Sequence, residues 1–142
     1  MGKPSSLEEA VVAEDHDRES IEDLQPVNVL IVDDRAQDLT ALRLILSDPT
    51  YNVVEANSGT EALRRVLEQD FAVILLDVIM PTLDGFELAS LIKQRERSRD
   101  TPIIFLTAAS IDLANLYEAY SVGAIDYLVK PVDPDIVRAK VG

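Results

Sequence analysis

From Val27 onward, short apolar runs alternate with segments whose apolar residues recur at helical spacing. This alternation constrains the fold most, because it is the sequence form of repeated βαβ units. Several runs are almost entirely apolar, which indicates strands buried on both faces, as in a parallel sheet covered by helices. We therefore predict an α/β fold, a doubly wound five-stranded parallel sheet with helices on both faces. The predicted strands are Val27–Val32, Asn52–Glu55, Ala72–Leu76, Pro102–Leu106 and Asp126–Val129.

The segments between the strands predict helices near 36–47, 58–69, 84–97 and 110–122. Ser58 and Asp84 stand where helix N-caps are expected, and Gly123 stands where a glycine would end the fourth helix. A fifth helix would begin near Pro134 and be shorter than the others, because only nine residues run from Pro134 to Gly142. In the first helix we expect an inward-facing stripe of Ala41, Leu42, Leu44 and Ile45.

Residues 1–26 differ from the predicted α/β domain at 27–142 and are predicted to form an acidic, partly helical N-terminal extension or linker. They contain eight acids against Lys3 and Arg18, and they end at Pro26. Two interpretations stay open: a solvated linker, or a helix that pairs with a partner or with its own copy, which would give a homodimer. His16 lies among acids, so the alternatives there are a metal ligand and a solvated side chain.

The charge balance excludes several classes of partner. Asp and Glu number 26 against 13 Lys and Arg, which gives a net charge of −13. Such a surface repels nucleic-acid phosphates and anionic membrane leaflets, so we expect neither nucleic acid nor membrane as a partner.

The longest apolar run, Phe71 to Leu76, is too short to cross a bilayer, and cysteine is absent. We expect a soluble, cytoplasmic protein without thiol chemistry or cysteine-ligated zinc.

Three carboxylates stand at the ends of predicted strands: Asp33 and Asp34 after the first, and Asp77 after the third. Ligands of open parallel sheets bind beyond the carboxyl ends of the strands, where the winding reverses. If the first and third strands are neighbours, the three acids converge on one pocket. Their mutual repulsion then requires either a proton on one acid or a hard divalent cation, and an all-oxygen cluster favours Mg²⁺ over zinc.

Two further polar residues follow the last two predicted strands. Thr107 brings a hydroxyl and Lys130 brings an ammonium to the same edge of the sheet. Taken singly, Thr107 could be a capping residue and Lys130 a surface charge. Together with the acids, they would supply a hydrogen-bond donor, a positive charge and a metal site, which are the components that anion recognition needs.

Five motifs carry a resemblance to a known family, and they read VDD at 32–34, LDVIMP at 76–81, DGFE at 84–87, LTA at 106–108 and GAIDYLVKP at 123–131. From about Val27 to its end, the chain resembles a response-regulator receiver domain, the phosphoacceptor module of two-component signalling. The resemblance implies a flavodoxin-like sheet with strand order 2-1-3-4-5. It also implies a switch that changes partner binding when it is phosphorylated.

The resemblance assigns a role to each residue of the acidic pocket. Asp77 would accept a phosphoryl group from a phosphohistidine donor, either a sensor histidine kinase or a histidine phosphotransfer protein. Asp33 and Asp34 would hold Mg²⁺ together with Asp77, and the backbone carbonyl of Ile79 would complete the protein's ligands. Lys130 would pair with the carboxylate of Asp77 and later with a phosphoryl oxygen.

Further residues would turn that reaction into a signal. By the same resemblance, Thr107 would bind another phosphoryl oxygen, Tyr127 would change rotamer with Thr107, and the small side chain of Ala108 would give the phosphoryl group access. Lys130-Pro131 would be a cis peptide. The output domain or partner would be contacted by the face formed by the fourth helix, the fifth strand and the fifth helix.

Two other functions remain as alternatives. A hydrolase or phosphotransferase that uses an aspartyl phosphate usually needs a second acid two residues after the nucleophile, and position 79 is Ile. A pseudo-receiver would be a constitutive interaction module that is never phosphorylated, which the intact pocket residues disfavour. We therefore expect no enzyme activity beyond the domain's own phosphorylation and autodephosphorylation.

Overall fold

Five parallel strands form one sheet in the order β2-β1-β3-β4-β5 in the computed structural model, which describes residues 26–81, 83–107 and 126–142. The predicted fold class and strand order are confirmed. Each observed strand lies within one residue of its predicted bounds. The strands are β1 Val27–Val32, β2 Tyr51–Ala56, β3 Val73–Asp77, β4 Ile103–Thr107 and β5 Asp126–Val129.

Helices cover both faces of this sheet. They are α1 Ala36–Ile45, α2 Gly59–Glu68, α3 Gly85–Gln94 and a C-terminal helix Pro134–Val141, with a 3₁₀ turn at Glu96–Ser98. Ser58 caps α2 by accepting a hydrogen bond from the backbone of Glu61, and Asp84 forms a capping box with Glu87 at the start of α3. Both predicted N-caps are therefore confirmed. The C-terminal helix has 8 residues, against 10 in each of the other three α-helices in the described part of the chain.

The core consists of two apolar layers, one on each face of the sheet. Every residue of β3 and β4 is buried, as expected for central strands with helices on both sides. One layer packs α2 and α3 against the sheet through residues such as Val66 and Ile92. The other layer packs α1 and the C-terminal helix against the opposite face through residues such as Leu42 and Val137.

The predicted inward stripe of α1 was wrong in part. Leu42 is buried, but Ala41 is exposed and the side chain of Leu44 is 70% exposed. The buried positions are Leu39, Leu42 and Leu46, which are three and four residues apart and so follow the helical period. Leu44 lies two residues from Leu42, nearly on the opposite side of the helix, and therefore faces outward.

Several predictions fall outside the described residues: the extension at 1–25 with His16, the helix at 110–122, Gly123 and Ala108. The cis peptide expected at Lys130-Pro131 is present. Among the described residues, no helix has the length and apolar character needed to span a bilayer.

Candidate functional site

Three carboxylates meet at the carboxyl ends of β1 and β3. The two strands are neighbours, with Val32 paired to Leu76, so the residues that follow β1 adjoin the last residue of β3. One carboxylate oxygen from each of Asp33, Asp34 and Asp77 lies within 4.8 Å of the others. Asp33 and Asp77 are buried, whereas Asp34 is exposed. The convergence that the sequence predicted is thus observed.

The two buried acids differ in how tightly their oxygens are held. Asp33 accepts a hydrogen bond of 3.0 Å from the backbone N–H of Arg35 and one of 2.7 Å from Lys130 Nζ, one on each oxygen. For Asp77, the backbone N–H of Ile79 lies 3.4 Å from one oxygen, and Lys130 Nζ lies 3.5 Å from the other. Asp77 is therefore the more loosely held of the two and the better placed to react.

Lys130 supplies the positive charge of the site. Its Nζ lies 2.7 Å from Asp33, 3.1 Å from Asp38 and 3.5 Å from Asp77. Burial favours the neutral amine, but hydrogen bonds to Asp33 and Asp38 and the charge of Asp77 outweigh it, so the pKa of Lys130 is raised. Lys130 therefore carries a full positive charge at neutral pH.

Asp38 was missed by the sequence reasoning. It lies in the first turn of α1, which starts directly beyond the end of β1. The available signal was its position: an acid in the first turn of that helix is close to the strand ends that form the pocket.

Asp77 is electrostatically the most perturbed member of the site. Burial and the neighbouring charge of Asp33 raise its pKa from 3.8 to about 6, and Lys130 opposes this rise. Two unit charges about 5 Å apart repel by roughly 3 kcal/mol at an effective dielectric near 20. The fold therefore keeps Asp77 partly protonated under mildly acidic conditions unless further positive charge enters the pocket.

The segment after β3 folds back over the end of this strand. The backbone N–H of Gly85 donates a 2.8 Å hydrogen bond to the carbonyl of Val78. A Cβ on Gly85 would lie 2.3 Å from the carbonyl oxygen of Asp77, so only glycine fits at this close approach. Within this segment the side chain of Ile79 is 73% exposed and does not enter the pocket. Its backbone contacts the site through the N–H group described above.

Thr107 lies on β4 and Tyr127 on β5, the two strands that follow β3 in the sheet. Thr107 is the last residue of β4, is buried, and its carbonyl accepts a 2.7 Å hydrogen bond from the backbone N–H of Lys130. Tyr127 pairs in register with Phe105, two residues before Thr107, and packs partly buried against the α2 and α3 side of the core. Because side chains alternate along a strand, Thr107 and Tyr127 belong to the same face of the sheet.

The acidic cluster fits a hard divalent cation. All three candidate ligands are carboxylate oxygens, which Mg²⁺ prefers, and they are already close together. Two oxygens on opposite sides of an octahedral Mg²⁺ are about 4 Å apart, so the cluster needs little rearrangement. A divalent charge would also offset the repulsion between Asp33 and Asp77.

Most of the chain matches a known protein family and its members in sequence. Residues 29–142 match the family model described as response regulator receiver domain. The transcriptional regulatory protein ResD of Bacillus subtilis is 39% identical over 113 residues, and SrrA of Staphylococcus aureus is 36% identical over the same length. Each match covers 80% of this chain and 45% of the relative, so the chain spans about half the length of these proteins.

Solved structures of similar proteins share the fold. The chemotaxis protein CheY4 of Vibrio cholerae superposes with a TM-score of 0.78 at 32% identity, covering 82% of this chain and 97% of that protein. A response regulator structure from Chloroflexus aurantiacus gives a TM-score of 0.77 at 33% identity, covering 82% of this chain and 95% of the other. From its sheet order, its acidic pocket and these matches, the chain belongs to the response regulator receiver domains of two-component systems.

Proposed function

We propose that this domain is a phosphorylation-dependent switch and that Asp77 is its phosphoacceptor. The observation that carries the proposal is the position of the Asp77 carboxylate, which lies loosely held between Lys130 and the carboxylates of Asp33 and Asp34. Asp33 is a poorer nucleophile, because each of its oxygens accepts a hydrogen bond, one of 3.0 Å and one of 2.7 Å. Asp34 is exposed, which suits a residue that binds a metal ion entering from solvent.

In the proposed reaction, an oxygen of the ionised Asp77 carboxylate attacks the phosphorus of a phosphohistidine. A new phosphorus–oxygen bond forms as the phosphorus–nitrogen bond breaks, and the imidazole leaves with the bonding electron pair. Autodephosphorylation is attack by water on the same phosphorus, which releases inorganic phosphate and restores the carboxylate. The chain therefore catalyses only its own phosphorylation and dephosphorylation, and it turns over no separate substrate.

Asp33, Asp34 and Asp77 would hold Mg²⁺, with the backbone carbonyl of Ile79 as a further ligand. When bound, the ion neutralises the negative charge that gathers on the phosphoryl oxygens. The remaining charge stabilisation comes from a residue of the chain itself. Lys130 offsets the repulsion between the carboxylate and the incoming phosphoryl group, and its ammonium pairs with one phosphoryl oxygen afterwards.

Phosphorylation is then converted into a change of packing at Thr107 and Tyr127. A phosphoryl group adds acceptor oxygens that draw the Thr107 hydroxyl inward, and Tyr127, which lies on the same sheet face, fills the space it leaves. Ala108, which follows Thr107, gives the phosphoryl group access. A bias of about 1 to 3 kcal/mol between two such packings changes partner affinity roughly 5- to 150-fold.

The phosphodonor and the output partner are expected to use different surfaces. For output we propose the face formed by the segment 110–122, β5 and the C-terminal helix, where Val129 and Ile136 expose 42% and 48% of their surfaces. A sensor histidine kinase or a histidine phosphotransfer protein would donate the phosphoryl group. Such kinases use ATP, so we place the domain in the cytoplasm. Residues 27–142 would form the receiver and residues 1–26 its acidic extension. Homodimers would form through this extension if it pairs with its own copy.

An apolar groove beside Lys130 supports a docking position for the phosphodonor. Its volume is about 420 Å³, and its walls are residues of α1, such as Leu44 and Ile45, and residues after β5, such as Pro131 and Val132. A donor seated there would hold its phosphohistidine next to the pocket. Leu44→Glu should slow transfer from a histidine phosphotransfer protein while leaving acetyl phosphate as effective as before.

The test of the proposal is incubation of the protein with Mg²⁺ and acetyl phosphate, followed by intact mass measurement. We expect a mass increase of one phosphoryl group that disappears with EDTA and in Asp77→Asn. Absence of the adduct together with absence of Mg²⁺ binding would instead favour a pseudo-receiver. Steady turnover of an unrelated phosphoester would favour a hydrolase, which lacks support here because Ile79 exposes an apolar side chain where a general acid is required.

A further inference from the structure

Lys130 has a carboxylate partner that the proposed reaction does not use. Asp38 Oδ2 in the first turn of α1 lies 3.1 Å from Lys130 Nζ, within hydrogen-bond distance. Both side chains are mostly covered, with exposed fractions of 31% for Asp38 and 22% for Lys130. Asp38 is separate from the group of three acids whose oxygens lie within 4.8 Å of one another.

We propose that Asp38 is a positioning residue that holds Lys130 on the α1 side of the pocket in the resting state. The inference rests on the proposed phosphoacceptor function. Lys130 donates hydrogen bonds to Asp33 and Asp38, whereas Asp77 at 3.5 Å is in ion-pair range only. Asp38 and a phosphoryl group on Asp77 therefore compete for the same ammonium.

A cation bound among the three acids would make Asp38, and not Asp33, the stronger partner of Lys130. It would withdraw charge from Asp33 and weaken that carboxylate as a partner of Lys130, but it would leave Asp38 untouched. The bond to Asp38 then becomes the main contact that must break before Lys130 reaches a phosphoryl oxygen. Removing the charge of Asp38 should therefore favour the phosphorylated state.

The decisive experiment compares Asp38→Asn with Asp135→Asn in the full chain, using acetyl phosphate and Mg²⁺. Asp135 is a matched control: its side chain is 94% exposed, it pairs with Arg138, and it lies in the first turn of the helix that follows β5. We expect Asp38→Asn to accelerate formation of the adduct by about three- to tenfold, the range of a partly exposed charged hydrogen bond, and to prolong its lifetime. Asp135→Asn should leave both unchanged.

The same comparison in a Lys130→Ala background tests whether Asp38 acts through the lysine. There the effect of Asp38→Asn should shrink to less than about twofold, because no ammonium remains to be released. An undiminished effect would show that Asp38 acts only as a nearby charge and would overturn the inference.

A metal-free measurement keeps the test independent of phosphorylation and of the folding of the Lys130 variant. Hydrogen exchange at the Lys130 ammonium, followed by ¹⁵N NMR, should be faster in Asp38→Asn than in the wild type and in Asp135→Asn. Equal exchange in all three proteins would overturn the inference while leaving the phosphoacceptor function intact. Failure of the wild type to form any adduct would overturn both.

Discussion

Replacing Asp77 by Asn is expected to stabilise the metal-free protein at about pH 8, although it removes the proposed nucleophile. Burial and the charge of Asp33 raise the pKa of Asp77 from 3.8 to about 6 in the folded state. Between these values the folded protein keeps a proton that the unfolded chain has lost, so the free energy of unfolding falls as pH rises through this window. Above about pH 6 the full cost of ionising Asp77 is present.

The pKa difference sets the size of the effect. One pKa unit corresponds to about 1.4 kcal/mol, so the ionised Asp77 costs about 2 to 3 kcal/mol of stability. The side chain is only 8% exposed, so solvent screening does little to reduce this figure. Asn retains the shape and removes the charge. Asp77→Asn should therefore gain this amount near pH 8 and gain little near pH 3.5, where Asp77 is mostly protonated in both states.

Urea unfolding in EDTA at several pH values measures this gain. With a slope of about 1 to 3 kcal/mol per molar urea, the unfolding midpoint of Asp77→Asn should lie about 0.7 to 3 M above that of the wild type near pH 8. The exposed Asp135→Asn variant serves as the control for loss of one negative charge. A midpoint at or below that of the wild type near pH 8, or an equal gain at both pH values, would refute the electrostatic reasoning.

Three further predictions concern the metal and the packing. Mg²⁺ should raise the thermal midpoint of the wild type, and Asp34→Asn should lose most of this rise, as calorimetry with and without EDTA will show. Gly85→Ala should lower the free energy of unfolding by about 2 kcal/mol or more, because its Cβ meets backbone; Gly59→Ala should lower it less, because its Cβ meets the flexible Leu83 side chain. Leu75→Ala should cost about 3 to 5 kcal/mol in urea unfolding, whereas Leu44→Ala, at an exposed site, should cost less than about 0.5.

The sheet was predictable because buried parallel strands leave a strong pattern in sequence. The runs that became β3 and β4 are apolar at nearly every position, and both proved buried throughout. Once the order of the strands was given, the meeting of Asp33, Asp34 and Asp77 followed from their positions at strand ends. The order itself came from the family resemblance and is confirmed by the strand pairing.

Features that depend on the orientation of the helices were harder to predict from the sequence. The buried stripe of α1 runs through Leu39, and the apolar side chain of Leu44 misled the prediction because apolar residues also occupy exposed helix positions. The contact between Asp38 and Lys130 joins residues 92 positions apart and depends on the rotation of α1 against the sheet. Periodicity defines that rotation only to within one face of the helix, so the contact could not be assigned from spacing.

The central claim, that Asp77 is the residue that carries the phosphoryl group, can be tested at the level of the single side chain. Protein treated with acetyl phosphate and Mg²⁺ is reduced with borohydride, which converts an aspartyl phosphate to homoserine, and the peptides are then sequenced by mass spectrometry. The account predicts homoserine at position 77 and aspartate at positions 33, 34 and 38. Homoserine at another position, or aspartate at all four, would contradict it.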